Sequence, residues 1–438
     1  MIWWAILLII FSALIVLLAA GVPVGFAFLA INIVCVYIMW NGLAGLNQLM
    51  LSIYGSVTIF SLLPVPLFVL MGEIIFLSGL AKKQLETIDA WLGRLPGRLS
   101  LVAVAGGTLF ATLTGSAMGG CAMLGSTLLP EMESRGYKKS MTLGPIMAAG
   151  GLAIMIPPSA LGVLLAALGN FSVGHFLVAI TGPGILMAIL YAVYIIVRCS
   201  LQPNLAPLYA PSRIPLSEKI RNTVIYIVPL AGIIFLVIGL VILGAATATE
   251  SAAAGAVGCY VLVAAYGKLT WRVVKESFQA TLRVTVMMFM ILTGSTAFGQ
   301  IMAFSGASSG LIQVVSGLDL PPIMIVFVMQ MILFVMGCFM EPLSIMMLTV
   351  PIFYPIIHNL GYSPLWFGAI MLLNMEMATI SPPFGLVLYV MKAVASTNTT
   401  MTDVYKSSLP FLALDWVAIV LIMVYPPFAL FLPGLMSN

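Results

Sequence analysis

The chain has 438 residues, of which 62% are hydrophobic and 7% charged, with a formal net charge of +4. Soluble domains carry about 25% charged residues, so 17 basic and 13 acidic side chains cannot coat a globule of this size, and most of the surface must face lipid. That excludes a soluble enzyme, a nucleic-acid binder and a disordered scaffold. The five scattered cysteines (Cys35, Cys121, Cys199, Cys259, Cys338) form no CxxC pair and indicate neither a disulfide framework nor a zinc site.

In chain order the apolar segments are 2–20, 23–41, 64–80, 101–130, 141–169, 177–198, 222–244, 249–266, 284–304, 322–354, 365–391 and 409–432. A spanning helix needs about 20 apolar residues. The first segment lacks a basic flank and reads as a retained helix, not a signal peptide. Segments 101–130 and 322–354 are too long for one helix and too short for two full spans. TGSAMGG at 114–120 and GCFMEPLS at 337–344 interrupt them, which predicts two re-entrant hairpins. Segments 141–169 and 365–391 contain Pro157-Pro158 and Pro382-Pro383. Each proline removes a helix hydrogen bond, so both helices should break within the membrane. Residues 267–283 set Trp271, Val274, Phe278 and Leu282 at helical spacing among charges, the pattern of an amphipathic helix in the interface. Residues 43–62 are its less charged counterpart.

A displacement of 225 residues relates these breaks. Pro130 falls on Pro355, Gly136-Tyr137 on Gly361-Tyr362, Pro157-Pro158 on Pro382-Pro383, Ser116 on Glu341 and Gly119 on Ser344, without a gap. The fold class expected is an all-α polytopic membrane protein of two repeats, 1–210 and 211–438. Each repeat has five spans, one broken at a double proline, and a re-entrant hairpin. Lys and Arg cluster at 82–98, 135–139, 198–221 and 268–283 and are missing from 42–63, 170–176, 305–321 and 355–364. Basic segments stay in the cytoplasm, which puts both termini outside. Five crossings is an odd number, so the halves insert in opposite orientations and the hairpins open to opposite sides.

Non-helical backbone at membrane depth survives where it lines a cavity. Freed carbonyls there suit a cation and half-helix N-termini an anion. The candidate elements are Gly115–Gly120, Gly150–Ser159, Gly337–Ser344 and Thr379–Gly385. The hydroxyls of Ser116, Ser159, Ser344, Thr379 and Ser381 are hard oxygen ligands suited to sodium. A single Ser or Gly ordinarily serves helix packing; the matched pairs carry the site reading. Carboxylates in the membrane cost about 2.5–3.5 kcal/mol each. Glu341, on a hairpin tip, and Glu376, just before a double proline, read as site scaffolding, cation ligands or proton carriers. Glu73 and Asp415 read as polar contacts between helices, and His175 and His358 as loop residues. An intramembrane hydrolase would need an HExxH or an aspartate dyad within the spans, and neither is present. No GxxxxGK[ST] loop offers ATP hydrolysis, and hairpins opening to opposite sides favour alternating access over a channel.

These motifs resemble the large membrane subunit of tripartite ATP-independent periplasmic (TRAP) transporters, within the ion transporter superfamily. The resemblance runs over nearly the whole chain, through PLFVLMGEIIFLSGL (66–80), GSAMGG (115–120), RGYKK (135–139), IPPS (156–159), ATATESAAAGAVG (246–258), MEPLSIMMLTVPIFYP (340–355) and NMEMATISPPFGLVLYVMK (374–392). The family often has Asp at Glu341 and Thr at Ser381. The resemblance implies sodium-driven import of an organic acid by an elevator mechanism. A periplasmic binding protein delivers solute, and a separate small four-helix membrane subunit braces the frame, in the bacterial inner membrane. Together with the repeat it implies a first sodium site at Ser116, Gly119, Gly151, Ile154 and Ile156, and a second at Gly337, Glu341, Thr379 and Ser381. Substrate would meet Gly115, Ser116, Pro157, Ser159, Pro342, Ser344, Pro382 and Gly385. No catalytic residue, organic cofactor or nucleic acid is expected. The alternative is a stand-alone ion-coupled carboxylate symporter or, further off, a channel.

Overall fold

A computed structural model describes residues 3–114, 116–207, 214–317 and 319–436. The first half runs α1 (Trp3–Ala19), α2 (Val24–Met39), α3 (Leu43–Val57), α4 (Pro64–Ser78), α5 (Ala81–Leu92), α6 (Arg98–Thr114), α7 (Ala117–Ser134), α8 (Lys139–Met155), α9 (Ala160–Leu168) and α10 (Val173–Leu201). The second runs α11 (Leu216–Asn222), α12 (Val228–Ile242), α13 (Ala248–Ala265), α14 (Trp271–Phe304), α15 (Ala307–Ser316), α16 (Pro322–Gly337), α17 (Pro342–Asn359), α18 (Pro364–Ile380), α19 (Leu386–Val394), α20 (Met401–Val424) and α21 (Pro427–Leu430). A π-helical turn, Thr223–Ile227, joins α11 to α12. No strand occurs among the described residues. There, six helices are long and apolar enough to cross a membrane, or up to eight if each bent pair is one span. The arms α6 and α16 and the half-helix α18 are among the shorter apolar helices of 10–17 residues.

Element boundaries follow the displacement seen in the sequence. Adding 225 to the ends of α7 gives those of α17, and the same step carries α8 onto α18. It takes α2, α5, α6, α9 and α10 to within three residues of α13, α15, α16, α19 and α20. The halves differ at α3 and α4, which map to 268–282 and 289–303 and so run together in the 34-residue α14. Residues 267–283 therefore make no separate helix: from Trp271 they continue into the following span. α3 ends at Val57 and α4 starts at Pro64, whose missing amide suits a helix start. Phe289 stands at the matching position in α14 and lets the ladder run on.

Two packing groups position the interior. In one, α14 lies against α2, α3 and α4, and α13 against α4 and α12. Buried Asn32 ties α2 to α14 by donating to the Gly294 carbonyl at 2.7 Å. In the other, α8 is enclosed by α6, α7, α10, α18 and α20, and every residue from Met141 to Met155 is buried. Small residues permit this crowding. A Cβ on Gly144 would stand 2.5 Å from the Ser407 carbonyl oxygen. α18 is buried from Trp366 to Ile380 and is joined to α16 by Asn374, whose amide donates to Gln330 O at 2.9 Å and Gln330 Oε1 at 3.0 Å. α14 meets the second group at α17, where Ser295 Oγ donates to the Met347 carbonyl at 3.2 Å.

Candidate functional site

The arms α6 and α7 meet at residue 115, so the expectation for Gly115 lies outside the described residues. Ser116 caps α7, its Oγ accepting from the Gly119 amide at 3.3 Å. Gly150 abuts this turn, since a Cβ there would stand 2.9 Å from the Ala117 carbonyl oxygen. α8 ends at Met155, Ile156 is extended, and the Pro157-Pro158 peptide is cis. α9 resumes at Ala160, bent by 44° from α8. Ser159 spans the break: its Oγ donates to the Ile154 carbonyl at 2.6 Å and accepts from the Gly162 amide at 3.0 Å.

In the second half Gly337 ends α16 against α18, where a Cβ on it would lie 2.8 Å from the Ala378 Cβ. Glu341 occupies the N-cap of α17 in extended conformation, and Ser344 Oγ donates to its Oε1 at 3.4 Å. At the end of α18, Thr379 donates to the Glu376 carbonyl and Ser381 to the Met377 carbonyl, each at 2.8 Å. Pro382-Pro383 is again cis. The chain then folds back on itself: the Gly385 amide donates to Ser381 O at 2.9 Å, and a Cβ on Gly385 would lie 2.5 Å from the Thr379 carbonyl oxygen.

All four breaks open onto one cavity of about 150 Å³. Ser116, Ile154, Glu341, Pro342 and Thr379 line it from four elements, with Glu73 of α4 and Val284, Met287 and Met288 of α14 on the facing side. The first residues of α7, α9, α17 and α19 (Ala117, Ala160, Pro342 and Leu386) all reach it. Helix N-termini carry partial positive charge and unpaired amides, a setting for an anion. Ile154 and Thr379 lie at the opposite, carbonyl-bearing ends of α8 and α18. Together with the Ser116 hydroxyl and two carboxylates they form a hard-oxygen donor set of the kind alkali and alkaline-earth cations take. The arrangement can therefore hold an anionic group and a cation side by side.

The other expected residues support this cavity from behind or lie elsewhere. Gly119, Gly151, Ile156, Ser159, Gly337, Ser381, Pro382 and Gly385 do not line it. Pro157 faces an apolar crevice with Leu177, Val178, Val237 and Val241. Ser344 lines a neighbouring cavity of about 450 Å³ under the Gly21–Phe26 turn, which also takes in Glu341. Gly151 turns to α18, where any Cβ would overlap the carboxylate of Glu376. Glu73 lines the cavity, one turn after Val69, instead of serving only as a contact between helices. Both histidines sit in helices, His175 in the first turn of α10 and His358 in the last of α17. The prolines before His358, Pro351 and Pro355, are carried inside α17 and do not end it.

Glu376 and Asp415 form a buried pair, and both are fully enclosed. Tyr191 donates to Asp415 Oδ1, and the two carboxyls lie within hydrogen-bond reach of each other. Glu376 Oε1 and Oε2 and Asp415 Oδ2 meet no other hydrogen-bonding group among the described residues.

Comparison with known proteins follows the same outline. The family described as tripartite ATP-independent periplasmic transporter, DctM component, matches residues 11–428. A C4-dicarboxylate TRAP transporter large permease protein, DctM of Pseudomonas aeruginosa, is 30% identical over 89% of this chain and 90% of its own. An ectoine/5-hydroxyectoine TRAP transporter large permease protein, UehC of Ruegeria pomeroyi, is 26% identical over 97% and 98%. Among solved structures, the YdaH transporter of Alcanivorax borkumensis has a similar fold, with a TM-score of 0.64 at 16% identity over 88% of this chain and 89% of that one.

Proposed function

The chain belongs to the DctM-component family of tripartite ATP-independent periplasmic transporters, and from that premise we propose that it is the large permease subunit that imports an organic acid against its gradient by coupling to sodium. It is a multi-pass membrane protein of that family. The observation that carries the coupling is the convergence of four helix N-termini, two broken-helix carbonyl ends and two carboxylates on one cavity. Substrate carboxylate sits at the N-termini of α7, α9, α17 and α19. Sodium sits at hydroxyl and carbonyl oxygens, one site using Ser116 with carbonyls near Ile154, the other Glu341 with Thr379. Gly119, Gly151, Gly337 and Ser381 shape the backbone that presents these oxygens.

The element-by-element displacement of 225 residues supports two repeats inserted in opposite orientations, with both termini outside in the inner membrane. The packing groups support an elevator, in which α6–α10 and α16–α20 carry the site past a frame of α1–α4 and α12–α14. Partners follow from the family. A periplasmic binding protein captures dilute solute, and a small membrane subunit covers the frame's exposed apolar surface, such as Val224, Phe235 and Val261. The test is uptake into vesicles. Transport should need this chain, the small subunit, the loaded binding protein and an inward sodium gradient together, and ATP should make no difference. Full-rate transport of free solute by this chain alone would overturn the tripartite reading in favour of a stand-alone symporter.

A further inference from the structure

The displacement of 225 residues puts Gly151 of α8 on Glu376 of α18, and in the folded chain these two positions touch. A Cβ on Gly151 would overlap Glu376 Oε1 and stand 2.8 Å from its Cδ. A position that meets its own repeat mate marks the place where the two repeats cross. Two side chains cannot share that place, and glycine on one helix leaves it to glutamate on the other. The same displacement carries Ile154 onto Thr379. Both line the central cavity, each about one helical turn beyond the crossing. One side chain therefore joins, from behind, the two broken-helix ends that face the cavity.

That side chain is held in place. Glu376 is fully buried and does not line the cavity. A carboxyl at membrane depth is costly and needs a partner. Asp415 of α20 lies within hydrogen-bond reach, and Tyr191 of α10 donates to Asp415 Oδ1. These two helices are also repeat mates: Leu190, beside Tyr191, falls on Asp415. Each repeat thus contributes one residue to the support behind Glu376. Toward the cavity, the Glu376 carbonyl accepts from the Thr379 hydroxyl at 2.8 Å. Close-packed interiors transmit displacement. A shift of the α8 end at Ile154 presses on Glu376 through Gly151, and Glu376 carries the α18 end at Thr379 with it.

We infer that Glu376 is a positioning residue that links the two sodium sites, so that filling one readies the other and sodium binds cooperatively. The inference rests on the sodium sites proposed above, at Ser116 with carbonyls near Ile154 and at Glu341 with Thr379. Glu376 binds no ion itself; it acts through the two helix ends. The link is a coupling free energy between sites, and it runs equally in both directions.

The test is equilibrium binding of radiolabelled sodium to the full-length chain in lipid nanodiscs, titrated in choline buffer. The wild-type Hill coefficient should approach about 2, the number of sites. Glu376→Gln keeps the side-chain length and offers amide donors to Asp415, so it should keep that value. Glu376→Ala opens a gap at Gly151 and should lower the coefficient to about 1, the value for independent sites. The sodium bound at saturation should stay the same, whereas a merely misfolded protein would bind less. A triple variant, Glu376→Ala with Asp415→Leu and Tyr191→Phe, removes every polar group of the cluster, so that none is left buried without a partner. It should give the same low coefficient in a folded protein. Non-cooperative binding in wild type, wild-type cooperativity in either truncated variant, or equal loss in Glu376→Gln and Glu376→Ala would overturn the link. Absence of saturable sodium binding to wild type would overturn the sodium sites themselves, and the link with them.

Discussion

Two glycines that the sequence treats alike should behave oppositely when given a methyl group. Gly119 and Gly151 both stand in the expected first sodium site. A Cβ on Gly119 would meet nothing nearer than Ser116 Oγ at 3.6 Å, an ordinary contact. Gly119→Ala should therefore gain the helix preference of alanine, about 0.5–1 kcal/mol. A Cβ on Gly151 would overlap the Glu376 carboxylate inside the most enclosed part of the molecule. Overpacking of this kind costs about 1–3 kcal/mol. Moving Glu376 off Asp415 costs about 1–3 kcal/mol more. Less the alanine gain of about 0.5–1 kcal/mol, Gly151→Ala should lose roughly 1–5 kcal/mol. Thermal unfolding of the two purified variants in one detergent, followed by size-exclusion of the surviving monodisperse fraction, reads the difference. A Gly151→Ala protein as stable as Gly119→Ala would refute the packing of α8 against α18 at Glu376.

The remaining predictions concern the buried acids and the orientation. Tyr191→Phe leaves Asp415 Oδ1 without its donor and should destabilise by about 1–3 kcal/mol. Glu376→Gln brings amide donors to the same place and should keep near-native thermal stability, while Glu376→Ala should not; equal losses in the two would contradict a hydrogen-bonded pair. In a cysteine-free background, cysteines at the exposed positions Gln313 and Asn359 should react with an impermeant thiol reagent from outside, and those at exposed Gln202 and Lys268 only from inside. Outside labelling at Gln202 would reverse the orientation.

Much of the architecture was legible because breaks are written in residue types. Two double prolines and two Gly- or Ser-containing interruptions stand at one displacement, and the structure ends helices at each of them. One break does not repeat: the segments that match α3 and α4 run together in α14, which merges two elements expected to be separate. Residues whose meaning depends on which helices touch could not be read. Nothing around Tyr191 announces Asp415, 224 positions away. Glu73 gains its place only because α4 and α14 face the hairpin tips. The end of the apolar run at 354 places His358 in the outside loop 355–364, yet α17 runs on to Asn359 and His358 lines a cavity.

The coupling itself is tested by the sodium concentration that gives half-maximal uptake of the delivered solute in the reconstituted assembly, compared among wild type, Ser116→Ala and Ser381→Ala. Ser116 lines the cavity at the first hairpin tip, and Ser381 fixes the end of α18 beside Thr379 by its bond to the Met377 carbonyl. Each substitution should raise that concentration while the protein still inserts and assembles normally. Unchanged sodium dependence in both would contradict the placement of sodium at these breaks.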